Sequence, residues 1–185
     1  MNIFSFRPFL CSSTKITNTN ANINTNTDND VINLIIDTDV TATDIKWEDT
    51  VEFTFPIKGG TVIKVYDGDT ITIASKLPYN SSPLYRFSVR LNGIDTPEIK
   101  GLNVTDEEKE AAKQARDFVS NLVLHKYIKL ENIKNEKYGR ILADVYIDDL
   151  HLNELLIKER YAVKYDGGTK IKPTSWLKYR TTGEL

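Results

Sequence analysis

Asp69 and Asp95 are the residues whose type and setting in this chain could do chemistry. The first stands in Val65-Tyr66-Asp67-Gly68-Asp69-Thr70, where one strand turns sharply at Gly68 and another begins. The second stands in Arg90-Leu91-Asn92-Gly93-Ile94-Asp95-Thr96-Pro97-Glu98, a strand that ends in a cluster of oxygen donors. Two carboxylates brought together from separate strand ends make a site for a hard divalent cation, which takes oxygen ligands. Read alone, Asp67-Gly68-Asp69 also fits a plain turn, since Asp-Gly is common in turns.

The elements that must position these acids are legible on both sides of them. Thr61–Asp67 and Asp69–Ser75 read as two β-branched strands meeting at Gly68. Tyr85–Leu91 alternates Phe87, Val89 and Leu91 with Arg86, Ser88 and Arg90, which places both arginines on one strand face. Leu77–Pro83 and Ile99–Val104 read as connections. Thr105-Asp106-Glu107-Glu108 matches a capping box, in which Thr and Glu satisfy each other's end of a helix. Ala111, Ala115, Phe118, Val119 and Leu122 then share one helical face. His125–Ile133 and Arg140–Ile147 read as a fourth and fifth strand, Asp148-Asp149 as a turn, and Leu152, Leu155 and Leu156 as the stripe of a short helix ending near Arg160. The fold class expected is α+β, mainly β. It is a five-stranded OB-type barrel with a helix between strands 3 and 4 and a second short helix after strand 5.

Composition divides the chain. Residues 1–57 hold three basic and eight acidic residues, a net of 3 − 8 = −5, and residues 58–185 hold 21 basic and 18 acidic ones, a net of +3. A mildly basic body suits a nucleic-acid binder and equally an ordinary mixed surface. Thr14–Asp30, with asparagine at nearly every second position, cannot bury enough apolar surface to offset its ordering entropy. The organisation expected is a flexible Asn/Thr/Asp-rich extension over 1–50, a globular domain over 51–170 and a C-terminal tail over 171–185. Within the first two, Val31–Ile36 is an apolar island, and Val51, Phe53 and Phe55 alternate like a strand before Pro56. The single cysteine, Cys11, excludes an internal disulfide, and two histidines, His125 and His151, argue against zinc and are read as structural. No apolar run reaches the roughly 20 residues of a membrane span. Arg7 and Pro8 break the apolar start, which does not make a secretory signal. An intracellular, monomeric protein with no membrane partner is expected. Asn80-Ser81-Ser82 and Asn103-Val104-Thr105 match glycosylation acceptors, which matter only in a secreted chain.

Asp-Gly-Asp-Thr at 67–70, Arg-x4-Asp-Thr-Pro-Glu at 90–98 and Lys-Tyr-Gly-Arg at 137–140 together resemble the motif set of the staphylococcal nuclease (thermonuclease) family, an SNase-like OB-fold domain. Their order and spacing agree, and the resemblance runs over about 61–166, including Asn153-Glu154 and Tyr165-Asp166-Gly167-Gly168. The chain departs from the bacterial pattern in its N-terminal extension and its short C-terminus, where Pro173 leaves little room for a further helix.

The resemblance implies a Ca²⁺-dependent endonuclease acting on DNA and RNA with loose specificity and leaving 3′-phosphate ends. Asp69, Asp95 and, as in the family, the carbonyl of Thr96 would hold Ca²⁺, which takes 6–8 oxygens in flexible geometry. Glu98 would take a proton from the attacking water or orient it, and Pro97 would fix its angle. Arg90 and Arg140 would grip the scissile phosphate in forked hydrogen bonds. Tyr138 and Tyr165 suit stacking on unpaired bases, and Lys137 suits a phosphate contact. Against each role stands a plainer one: a salt bridge from Arg90 to an aspartate in the barrel, surface charges at Glu98, Lys137 and Arg140, partly buried tyrosines. The alternative function is a non-catalytic module of the same fold that binds single-stranded nucleic acid or a protein ligand.

Overall fold

The computed structural model describes residues 45–185. The chain divides into two compact units, 1–49 and 50–185. In the first, Trp47–Asp49 forms a single 3-10 turn, closed by the Asp49 carboxylate accepting from Lys46 N–H. The Asn/Thr-rich tract and Val31–Ile36 lie outside the described residues.

The second unit is built on a closed barrel of five strands. β1 (Gly59–Val65) pairs antiparallel with β2 (Thr70–Lys76), and β2 with β3 (Leu84–Leu91). β1 also pairs with a later strand, β5 (Tyr127–Asn135), which pairs with β6 (Ile141–Ile147). Parallel pairing of Val89–Leu91 with Ile141–Ala143 closes the ring. Alternation explains the closure: Ile141, Ala143, Val145 and Ile147 all face inward on β6 while their neighbours face out. Ile71, Ile73, Val89, Leu91 and Ile128 meet them in the core.

Two helices cover the barrel and one covers a helix. α1 (Asp106–Val123) buries Ala111, Ala112, Ala115, Val119 and Val123. Phe118 and Leu122, expected on that face, lie half-buried at its margin. The Thr105 hydroxyl accepts from Glu108 N–H at 3.1 Å, which is one half of the capping box. The other half differs: the Glu108 carboxylate turns away to accept from Glu98 N–H at 3.2 Å. α2 (Leu152–Lys158) follows the short strand β7 (Leu150–His151). Its Asn153, buried, accepts from Val145 N–H at 3.0 Å and donates to the Asn92 carbonyl at 2.8 Å, stitching β6 to the end of β3.

Two expectations are corrected. Residues 51–55 form no strand. Phe55 packs edge-on against Phe87, and the Phe53 carbonyl accepts from the Asn135 side chain, so this stretch meets the barrel through side chains instead of a ladder. The C-terminus holds a helix, α3 (Trp176–Thr182), where sequence reading left little room for one. Ser175 caps it, and the Glu107 carboxylate of α1 accepts from Leu177 N–H at 2.7 Å. Trp176 and Tyr179, three apart, turn the same way and are buried with Ala111 and Val163.

Candidate active site

The β1–β2 turn sets Asp69. The Asp67 carboxylate accepts from Asp69 N–H at 3.2 Å, and the Asp69 carbonyl accepts from Leu91 N–H at 2.8 Å, which ties the turn to the end of β3. Gly68 is required by close approach: a Cβ there would lie 2.9 Å from that of Ala115 and 3.0 Å from the Thr96 methyl. Asp95 comes from β4 (Ile94–Asp95), which pairs with β8 (Val163–Lys164).

One guanidinium joins the two aspartates. Arg90 reaches Asp69 Oδ1 at 2.7 Å and Asp95 Oδ1 at 3.3 Å. The salt bridge weighed against a phosphate role for Arg90 is therefore present, and it engages two of the five guanidinium N–H donors. Asp69, Asp95 and Thr96 are all buried, and Asp95 Oδ2 has no hydrogen-bond partner among the described residues. Glu98, half exposed, joins them through Lys170, whose ammonium lies 2.7 Å from Asp95 Oδ1 and 2.9 Å from Glu98 Oε1. Arg140 is held by Glu136, with Nε at 2.6 Å from Oε2 and Nη2 at 2.7 Å from Oε1. That pairing holds Glu136 below the usual carboxylate range and pushes Arg140 up, with the charges of Asp69 and Asp67 adding to the latter.

Lys137 and Tyr165 line a cleft of about 410 Å³ with Arg90 and Asn92. A larger hollow of about 730 Å³ shares Asn92, Gly93, Ile94, Tyr165 and Asp166 with it. Tyr138 stands apart: its left-handed backbone, φ 66°, throws the ring outward, and the residue is 96% exposed. Sequence reading missed Lys170, Glu108 and Glu136. Glu136 carries a signal, four residues before Arg140. Lys170 carries none, because a lysine on a Gly-rich loop is ordinarily solvated.

The acids crowd one another. Burial and then the charge of Asp67 push Asp69 up from 3.8 to about 7, against the opposing pull of Arg90. An acid held up in the folded state binds its proton more tightly folded than unfolded. The stability that Asp69 contributes therefore falls as pH rises from about 4 through about 7. Asp69→Asn, which keeps the shape and cannot ionise, should gain on the wild type across that window. Urea midpoints in chelator at pH 4.5 and 7.5 measure it, and a constant difference between the two proteins would refute the assignment.

The donor set can be weighed against a hard divalent cation, which takes oxygen ligands. Among the described residues no three Asp, Glu, His or Cys side chains gather as a metal cluster. The set is smaller: two buried carboxylates, one with an unpartnered oxygen, beside the main chain of Thr96. It fits a hard cation that completes its shell with water and substrate oxygens.

A closed five-stranded barrel with helices packed against it is of the OB type. Residues 88–178 match the profile of the staphylococcal nuclease homologues, and over this span the chain is similar to that family. Asp67–Thr70 precede the matched segment and reach the site through the β2–β3 ladder. The chain is 35% identical over 115 residues to Endonuclease YncB of Bacillus subtilis, covering 60% of this chain and 51% of that protein. It is 36% identical over 115 residues to the SPbeta prophage-derived endonuclease YokF of the same organism, covering 60% of this chain and 36% of that protein. Against the Thermonuclease of Staphylococcus hyicus it is 35% identical over 103 residues, covering 55% and 56%. The chain thus spans between about a third and just over half of these relatives. Among the described residues no helix is long and apolar enough to cross a membrane.

Proposed function

We propose that this protein is an endonuclease that hydrolyses phosphodiester bonds of DNA and RNA with little sequence preference, with Ca²⁺ as cofactor. The observation that carries the reading is the contact of Asp69, Arg90 and Asp95, with Glu98 bridged to the same carboxylate by Lys170. The names of the three relatives support the activity. Unpaired strands suit the open cleft beside Tyr165, where an aromatic face can stack on any base.

Asp69, Asp95 and the Thr96 carbonyl would hold the cation. When bound, it supplies Lewis-acid polarisation of a phosphoryl oxygen. Glu98, at the half-exposed rim, takes a proton from the attacking water or orients it. Arg140 enters with its fork pre-oriented by Glu136, and its Nη1 stands outside both of those bonds. Arg90 is braced between the aspartates and presents its remaining donors to the phosphate as negative charge grows there. A small structural metal domain would use the carboxylates but leave unused the guanidinium donors of Arg90 and Arg140 that stand outside their ion pairs. A silent binding module would be expected to lack some of Asp69, Arg90, Asp95, Glu98 and Arg140, all of which stand here.

Incubation with single-stranded DNA is the direct test. Cutting should appear with Ca²⁺ and stop on chelation, read on a denaturing gel. Binding without cutting at any divalent ion concentration would establish the module instead, and cutting that survives chelation would reject the metal.

A further inference from the structure

Resting on the metal-site reading above, we propose that Lys170 is a tethered cation that holds the Asp95–Glu98 side of the acidic pocket and yields it to the divalent ion, so that this lysine sets the pocket's metal affinity.

Asp95 is the pivot. Its Oδ1 receives both Arg90, at 3.3 Å, and Lys170, at 2.7 Å, while its buried Oδ2 has no hydrogen-bond partner among the described residues. The two cations are not equivalent. The Arg90 side chain is 14% exposed and spans two aspartates, so withdrawing it would strand both. The Lys170 side chain is 35% exposed and carries its charge on a flexible four-carbon stem. It can swing into water without leaving a buried ammonium unpaired. Its departure would leave Glu98 uncompensated and Asp95 with Arg90 alone, and a doubly charged ion satisfies that pair of carboxylates better than an ammonium does.

The pocket needs such a charge. Asp67, Asp69, Asp95 and Glu98 bring four carboxylates close together, and among the described residues only Arg90 and Lys170 bridge directly between any of them. Lys172, two residues on, is engaged elsewhere, 3.0 Å from Glu108. The segment is therefore pinned at two points, and only the first lies on the pocket. Seated where it is, the Lys170 ammonium repels any entering ion and occupies two of the oxygens that ion and its water shell would use.

The test measures binding alone, with no nucleic acid present. The full-length protein is titrated with Ca²⁺ by calorimetry and with Tb³⁺ by luminescence. Lys170→Met should bind both ions about tenfold more tightly, since a unit positive charge is removed beside a multivalent one. Lys170→Arg should stay near the wild type, and Lys172→Met should not change affinity. Equal or weaker binding by Lys170→Met overturns the proposal, as does an equal gain in Lys172→Met, which would mean diffuse charge and no seat. Lys170→Gln serves should the methionine variant fail to fold. If neither wild type nor variant binds either ion, the metal site itself falls. Equal binding by both removes only the role of Lys170.

Discussion

Glu98→Gln should slow cleavage of single-stranded DNA by about 10²–10⁴-fold, the range a positioned acid–base group contributes. The amide keeps the size of the carboxylate, and its oxygen can still accept from Lys170, so the rim of the site should keep its shape. What it loses is the capacity to take a proton. Affinity for an uncut oligonucleotide should therefore hold while the single-turnover rate collapses. Arg140→Ala should fall by about 10²–10³-fold on the same assay, through lost stabilisation of charge and not lost proton transfer. Anisotropy of a labelled strand separates binding from turnover. A Glu98→Gln protein that cuts at the wild-type rate would make Glu98 a rim carboxylate paired with a lysine and nothing more.

Trp176→Ala should cost about 3–5 kcal/mol of stability, the range found on truncating a large buried aromatic. Trp176 is 2% exposed and meets Tyr179 edge to face, 6.1 Å between ring centres. It also fills the space beside Ala111 of α1 and Val163 of β8. Trp176→Phe should cost far less, because the indole Nε1 is buried with no hydrogen-bond partner among the described residues and nothing polar is lost with it. Urea denaturation with a common slope gives both values. An alanine variant as stable as the wild type would make α3 an appendage and not part of the core.

Local patterns were the legible part of this molecule. The alternation of Phe87, Val89 and Leu91, or of Ile141 to Ile147, reports directly which face is buried, and the barrel follows from five such runs. Thr105 marked the start of α1 because a cap is a three-residue device. The two aspartates were visible because each sits at a strand end. Other features depend on partners far along the chain. Lys170 meets Glu98 across 72 residues, and no spacing rule connects them. Glu108 fitted a capping box, yet a loop N–H competed for its carboxylate and won. Alternation at 51–55 was real, but a strand also needs a free ladder edge, and Phe55 found an aromatic ring instead. α3, at seven residues, is too short to persist by propensity. The buried Trp176–Tyr179 face, the Ser175 cap and the further cap lent by Glu107 make it a helix.

That loan has a consequence for how the molecule can be cut. Glu107 holds the start of α3, and the adjacent Glu108 holds both the Glu98 backbone and Lys172. A proteolytic nick between β8 and α3 would therefore be felt beyond the C-terminus. It would slacken the loop that carries Glu98, while the barrel strands stayed whole.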